Sequence, residues 1–506
     1  MKLCFIYKAE KMKLPPPPSP PFLLTLALAL AAASAATTQV CIIGSGIAGS
    51  SLSHFLHHHR PPPSAAIHST IFERSPSVGG RMSTVSIAGA VFEAGASIIH
   101  PKNLHAASFV ETLNLTSRSK DSSSSSSYFG IWDGRRFVFR SLPPPSESDW
   151  SLYRRFLHPI VDDLRIFWRY GFSLLKMRRF VGDMLGRFMR YYEGVEGRPV
   201  FESVEEMLRW SGLHGLTQRA LREELVEAGL SERLISELVT VITRINYGQS
   251  VSISGLAGAV SLAGSGSGFW SVEGGNWQIA AGLIKHSTAT LHLQEEIISV
   301  SRVEDHYELT SAEGNHYHCD VAVVATPLDE LNISFFPPIS IPSRKLQHTY
   351  TTFVHGLINP AYFGFTLASE VPDLVGTVES PDLPFSCVAV QKKISEDDKV
   401  YKIFSRSPME DDLLDKIFST RKDTIRINWA AYPHFEAPEV FAPFVLDGFH
   451  LYYINAFENA ASTMETGAVA AENVARLILS RLNSQSPDVQ ELRSPASEEE
   501  KLHLDL

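Results

Sequence analysis

The sequence predicts an α/β protein: a discontinuous Rossmann-like dinucleotide-binding domain with an inserted α+β substrate-binding domain. Three observations predict it. The run Gly44-Ser-Gly46-Ile-Ala-Gly49 follows a β-rich stretch and opens a helical one. Nucleotide-binding signals then return in the middle of the chain, around 272–327, and near its end, around 454–468. Between them lie a helical stretch, about 150–238, and a strand-rich stretch, 340–430.

Composition narrows the class. The chain has 506 residues, 45 basic and 55 acidic side chains, a formal charge of −10 and 44% hydrophobic residues. That is a protein of two or three domains with a large core, mildly acidic, and not one that coats nucleic acid. Four cysteines with no Cys-x-x-Cys pair leave neither a disulfide scaffold nor a Cys-type zinc site, and no metal is expected. Cys41 and Cys319 sit in or beside apolar strand patterns and are expected to be buried, unpaired thiols.

Residues 1–36 read as a signal peptide. Lys11-Met-Lys13 precedes the apolar run from Phe22, and Ala33-Ser-Ala-Ala36 supplies small residues for cleavage. The run is short of the ~20 residues that a spanning helix needs. The sequons Asn114-Leu-Thr and Asn332-Ile-Ser fit a secretory route and a glycoprotein.

The expected first cofactor-domain part is 37–112. Strand 38–43 leads into a helix over Ser51–His59, Pro61-Pro-Pro breaks that helix, and Ile67–Phe72 is the second strand of a βαβ unit. Gly44 permits the tight turn, Gly46 lets backbone approach a pyrophosphate, and Gly49 lets helix and strand pack. The helix N-terminus offers free N–H groups to phosphate. Glu73, closing the second strand, is placed to accept ribose hydroxyls. His57-His-His59 is expected to be a polar helix end, because consecutive helical side chains point in different directions.

A helical insert, 113–250, is expected next, with the Ser122–Ser127 run as a loop. The second cofactor part is 251–330, in which Gly255–Gly275 reads as a glycine-rich interruption and Leu291–Val300 as one strand. A substrate-domain sheet, 331–445, precedes the third cofactor part, 446–482, and a solvated tail, 483–506.

Further motifs name the cofactor. Val78-Gly-Gly80-Arg81 and Phe92-Glu-Ala-Gly95-Ala96-Ser97 resemble the flavin amine-oxidase and phytoene-desaturase superfamily. So do Val272-Glu-Gly-Gly-Asn-Trp, Leu293–Val300, Asp320–Pro327 and Ile454–Ala468. The resemblance implies FAD, with Gly80, Arg81, Gly95, Ala96 and Ser97 along it and the backbone of Ile297 at the adenine. It also implies that Glu458, Thr463, Met464 and Glu465 close the site, with a helix N-terminus aimed at the flavin.

Ser97-Ile-Ile-His100-Pro-Lys-Asn-Leu-His105, Val272–Trp277 and Phe457–Glu465 are, together, similar to the prenylcysteine oxidase family, and the likeness runs from about 38 to 482. It implies an FAD-dependent thioether oxidase. The substrate would be S-farnesyl-cysteine, or its geranylgeranyl analogue, with O2 and water giving farnesal, cysteine and H2O2 during breakdown of prenylated proteins. The C1–H lies between sulfur and an allylic double bond, so it is a good hydride donor, and the cofactor carries the redox step.

His100 and His105 are the catalytic candidates, to bind the substrate carboxylate or order water; a structural role for each is equally open. A farnesyl chain wants an apolar tunnel, worth ~0.8 kcal/mol per buried CH2. Ile166–Leu175 and Tyr350–Phe363 are candidate walls. Residues 151–190 hold nine Arg/Lys against three Asp, which suggests peripheral contact with an anionic membrane. The expected compartment is the secretory pathway, in a lysosome or vacuole or at a membrane. The rival readings are another flavin oxidase of this fold, such as a polyamine oxidase or carotenoid-type desaturase, and a non-catalytic lipid-binding protein.

Overall fold

A computed structural model describes residues 37–59, 66–119, 128–143, 157–194, 197–329 and 331–484. The leader, the Ser122–Ser127 run and the tail beyond 484 lie outside the described residues. The centre is a five-stranded parallel sheet ordered Leu451–Tyr453, Val321–Val324, Thr38–Ile43, Ile67–Glu73, Thr290–Leu293. Strands from three separated stretches of chain therefore lie side by side. The middle strands are apolar on both faces because both are covered, one by helices packed on one another and the other by a four-stranded sheet. Helix Ile47–His58 packs against the long C-terminal helix Met464–Ser484 and against Trp277–His286.

A four-stranded sheet, ordered His316–Cys319, His306–Ser311, Ile297–Val303, Ser334–Phe336, flanks this one. The expected single strand over Leu291–Val300 is in fact two strands in two sheets. The chain breaks at Gln294, where φ is +57°. Cys41 and Cys319 form a disulfide between the first strand and this flanking sheet, with Cα atoms 5.8 Å apart. The expectation of unpaired thiols is overturned, because contacts between strands 278 residues apart leave no local pattern. Cys387 is a free, buried thiol.

The other layer is a seven-stranded sheet ordered Phe418–Pro433, Leu346–Ile358, Asp398–Ser405, Cys387–Ser395, Leu374–Thr377, Phe129–Trp132, Phe137–Arg140. Its last two strands come from the segment expected to be a helical insert. Helices His158–Tyr170, Ser173–Phe188, Val204–Ser211, Leu221–Glu227 and Thr240–Tyr247 follow from that same segment. Where the sequence suggested a glycine-rich break, a helix spans Gly255–Ala263. A Cβ at Gly258 would stand 2.4 Å from Leu221, so glycine here allows two helices to pack closely.

Candidate dinucleotide site

The site lies beyond the C-terminal ends of the parallel strands, where a doubly wound sheet leaves its crevice. Gly44 has φ +110°, and a Cβ there would press 2.8 Å from the Ala325 carbonyl. Gly49 is tighter: its Cβ would fall 2.0 Å from the Gly44 carbonyl. Gly46 and Gly80 bring their backbones into direct contact. A Cβ on Gly80 would lie 3.6 Å from the Gly46 Cα, and one on Gly46 would meet only the Gly79 carbonyl, at 3.9 Å. Helix Ile47–His58 starts here with no side-chain cap and no acidic residue in its first turn. Its first N–H groups are thus left for an anion.

Glu73 ends the second strand, buried. One carboxylate oxygen accepts from the Ser45 N–H at 3.1 Å and the Ser45 hydroxyl at 2.6 Å, and the other from the Ser75 N–H at 2.9 Å. The Glu295 N–H donates to the Glu73 carbonyl at 2.9 Å, which brings Ile297, buried and paired with Ser311, close to that strand end.

The Gly80-Arg81 and Gly95-Ala96 turns sit back to back. The Ala96 N–H donates to the Arg81 carbonyl at 3.0 Å, and a Cβ on Gly95 would collide with that oxygen at 2.1 Å. Asn276, fully buried, staples a third segment to them. Its amide donates to the Ala96 carbonyl and its N–H to Glu93. The Arg81 guanidinium donates to the Ala431 carbonyl at 2.6 Å and to Glu458 at 2.5 Å. Burial opposes both charges, yet each stabilises the other: the Arg81 pKa is raised and that of Glu458 lowered. Asn455 and Ser462 also donate to Glu458, so this carboxylate is spent on holding Arg81.

Four predicted residues make their contacts elsewhere. Glu465 accepts from the backbone N–H groups of His105 at 2.7 Å and Ala106 at 3.1 Å and from the Tyr192 hydroxyl at 2.5 Å. It caps helix Leu104–Thr112 instead of facing a cofactor. The His105 ring lies 3.4 Å from Glu472 among Phe55, Phe109 and Tyr192. It is packed between helices, which corrects its assignment as catalytic. Met464 joins the core. Thr463 accepts from the Thr466 N–H at 3.0 Å and caps the last helix. His100 is half-buried against Phe269, and its Nδ1 accepts from the Lys102 N–H at 3.0 Å, fixing the turn at Pro101.

The structure also adds residues that no motif carried. Lys402, buried on the seven-stranded sheet, donates to the Glu93 carbonyl at 2.8 Å and to Ser97 at 3.1 Å, beside the Gly95 turn. Ser97 itself donates to the Gly95 carbonyl at 2.8 Å. Tyr432, beside Arg81, stands edge-on to Tyr247 with centroids 4.8 Å apart, and Phe435 adds to the cluster. Only alternation along a strand could have flagged them, and that pattern marks every core residue alike. A backbone cradle for a pyrophosphate, an acid beyond it, and an Arg–carboxylate pair on the far side fit an elongated dinucleotide such as FAD.

Comparisons with known proteins agree with this arrangement. The family model described as prenylcysteine lyase matches residues 156–491, and that of an NAD(P)-binding Rossmann-like domain matches 42–113. A farnesylcysteine lyase of Arabidopsis thaliana is 59% identical, covering 87% of this chain and 88% of its own. Human prenylcysteine oxidase 1 is 33% identical, covering 88% and 90%. Among solved structures, a putrescine oxidase mutant (13% identity, TM-score 0.56, 88% of this chain and 100% of its own) shares the fold. Cyclohexylamine oxidase from Brevibacterium oxydans (17%, TM-score 0.54, 88% and 99%) does too. With two thirds of its length under the family model and a relative this similar along nearly all of it, the chain belongs to the prenylcysteine lyase family.

Proposed function

We propose that this chain is an FAD-dependent thioether oxidase that cleaves S-farnesyl-cysteine, or a related prenylcysteine, with O2 and water to the prenyl aldehyde, free cysteine and H2O2. The carrying observation is the glycine-only backbone cradle of Gly44, Gly46 and Gly49 at the uncapped start of helix Ile47–His58, in contact with Gly80 and flanked by Glu73 and the Arg81–Glu458 pair. We assign the cofactor to the parallel-sheet pieces (37–112, 251–330, 446–482) and the substrate to 113–250 with 331–445.

Bound FAD supplies a two-electron acceptor that O2 regenerates. The chain's own residues do the rest. Helix Ile47–His58 turns uncapped N–H groups to the pyrophosphate, and Glu73 would accept from ribose. Arg81 provides a fixed positive charge. Lys402 holds the Glu93–Ser97 turn in place. The aromatic cluster of Tyr247, Tyr432 and Phe435 supplies apolar surface for a prenyl chain and keeps bulk water out. Hydride loss from C1 leaves a cation shared by sulfur and the allyl group; water adds there, and the hemithioacetal collapses to aldehyde and thiol.

We place the protein in the secretory pathway, in a lysosome or vacuole. Support comes from the Cys41–Cys319 disulfide, which persists in oxidising compartments, and from the exposed sequon residues Asn114 and Asn332 as glycan sites. The test is optical. Purified protein should be yellow, bleach anaerobically with S-farnesyl-cysteine, and release peroxide on re-aeration, while spermine does nothing. Protein that stays colourless after FAD is added removes the proposal.

A further inference from the structure

Helix His158–Tyr170 is amphipathic in the wrong sense for a globular protein. His158, Asp162, Arg169 and Tyr170 turn toward the protein. The His158 ring is within hydrogen-bond distance of the Pro143 carbonyl, at 2.9 Å, and Asp162 accepts from the Leu142 N–H at 2.8 Å. Arg169 makes a fork with Glu237 at 2.7 and 2.6 Å, and the Tyr170 hydroxyl donates to the same carboxylate at 2.9 Å. Glu237 sits on a π-helical turn, Ile235–Val239, which aims it at that helix.

Most of the apolar side chains face out, Ile166 excepted. Ile160, Val161, Leu164 and Trp168 recur at helical spacing, and Phe172 and Leu175 extend the stripe across the turn at Gly171. Trp168 is 92% exposed and Phe172 70%. The expectation that Ile166–Leu175 walls a tunnel is corrected: most of its large apolar side chains are on the surface. A groove of about 580 Å³ opens between this helix and strand Phe137–Arg140, its lining both apolar (Phe137, Leu164 and Trp168 among others) and basic (Arg140, Arg165 and Arg169).

Charge selects the occupant. Arg165, Lys176, Arg178 and Arg179 are exposed around the stripe, against exposed Asp163 and Asp183, in a protein whose net charge is −10. A two-fold contact between copies would set this basic rim against itself. An anionic lipid surface would not: its head groups meet the cations and its acyl boundary takes the Trp and Phe.

We propose that helix His158–Tyr170 and the start of Ser173–Phe188 dock on an anionic bilayer, so that prenylated substrate is taken up from lipid at the adjoining groove. The uptake step rests on the proposed function; the docking does not. Full-chain flavoprotein is mixed with phosphatidylcholine vesicles, with and without about 30% phosphatidylserine, and floated. W168S/F172S and R178E/R179E are compared with the parent; these residues lie on the surface, and unchanged circular dichroism and flavin absorbance confirm folding. The parent should float with anionic vesicles and be released by salt. Each double variant should bind about tenfold or more weakly.

With S-farnesyl-cysteine carried in vesicles, kcat/KM should fall in parallel for both variants. With the same compound in detergent micelles, all three proteins should match. A parent that does not float, or variants that both float as well as the parent, overturn the proposal. So does a parent dimer that W168S/F172S converts to monomer, since the face is then a subunit interface. A parent that floats but turns over nothing in either medium leaves the docking standing and removes the proposed function.

Discussion

Arg81 and Glu458, 377 residues apart in sequence, are joined by a 2.5 Å hydrogen bond between opposite charges. This contact ties the first cofactor segment to the last. Through the Ala431 carbonyl, Arg81 also reaches the seven-stranded sheet, so one guanidinium connects both layers.

Glu458→Gln should therefore do more than weaken one contact. It leaves Arg81 largely enclosed with no counter-charge, a loss on the order of 2 kcal/mol after allowing for its one-third-open side chain. Thermal unfolding should drop and flavin should wash out on gel filtration. Arg81→Lys should behave similarly, because one terminal nitrogen of Arg81 makes both contacts and the lysine ammonium, on a side chain one bond shorter, stops short of that position.

Gly49→Ala should push helix Ile47–His58 off its strand, since the new methyl would meet the Gly44 carbonyl at 2.0 Å. A loss of about 1–3 kcal/mol with loss of bound flavin is expected. Gly182→Ala is the control: it is helical with nothing within 4 Å, and it should stabilise by up to about 1 kcal/mol. Denaturant midpoints and flavin absorbance read both.

Acid should destabilise the fold through His54. Burial first, then the neighbouring His286, His58, His59 and His57, holds its pKa at about 4, down from 6.5. The unfolded chain takes up this proton before the folded one does. The stabilising contribution is therefore complete above pH 6.5 and is lost as pH falls toward 4, up to about 3 kcal/mol. His54→Leu should flatten the plot of unfolding free energy against pH across that window.

Reducing the Cys41–Cys319 disulfide should lower stability, with a ceiling of about 5 kcal/mol from the long loop it closes. A fall in melting temperature with a phosphine reductant, absent from Cys41→Ser/Cys319→Ser, would check it. An unchanged melting temperature in the parent would mean that the flanking sheet holds itself in place.

Much of the fold was readable along the chain. The glycine turn, the strand before it, the helix after it and Glu73 are local features. Gly44 needs a positive φ and Gly49 needs a missing Cβ, and each demand is met within a few residues of its cause. The same reasoning misplaced Glu465 and His105. Their motif was genuine, but the partners that decide their roles lie more than 350 residues away from one another in sequence. Lys402 was invisible for the same reason: a lysine in a strand reads as surface until the sheet is laid against the Gly95 turn.

The sequence by itself thus determined the backbone cradle, the opening βαβ unit and the family, because dihedral preference, side-chain clearance and periodicity act over short distances. Only the tertiary structure decided which cysteines pair, which carboxylate holds Arg81, and which side of helix His158–Tyr170 faces water. Those outcomes depend on what comes to lie opposite each residue after folding. A helix carries the same apolar stripe whether Glu237 clamps its polar face or not, and it is the clamp that turns Trp168 outward.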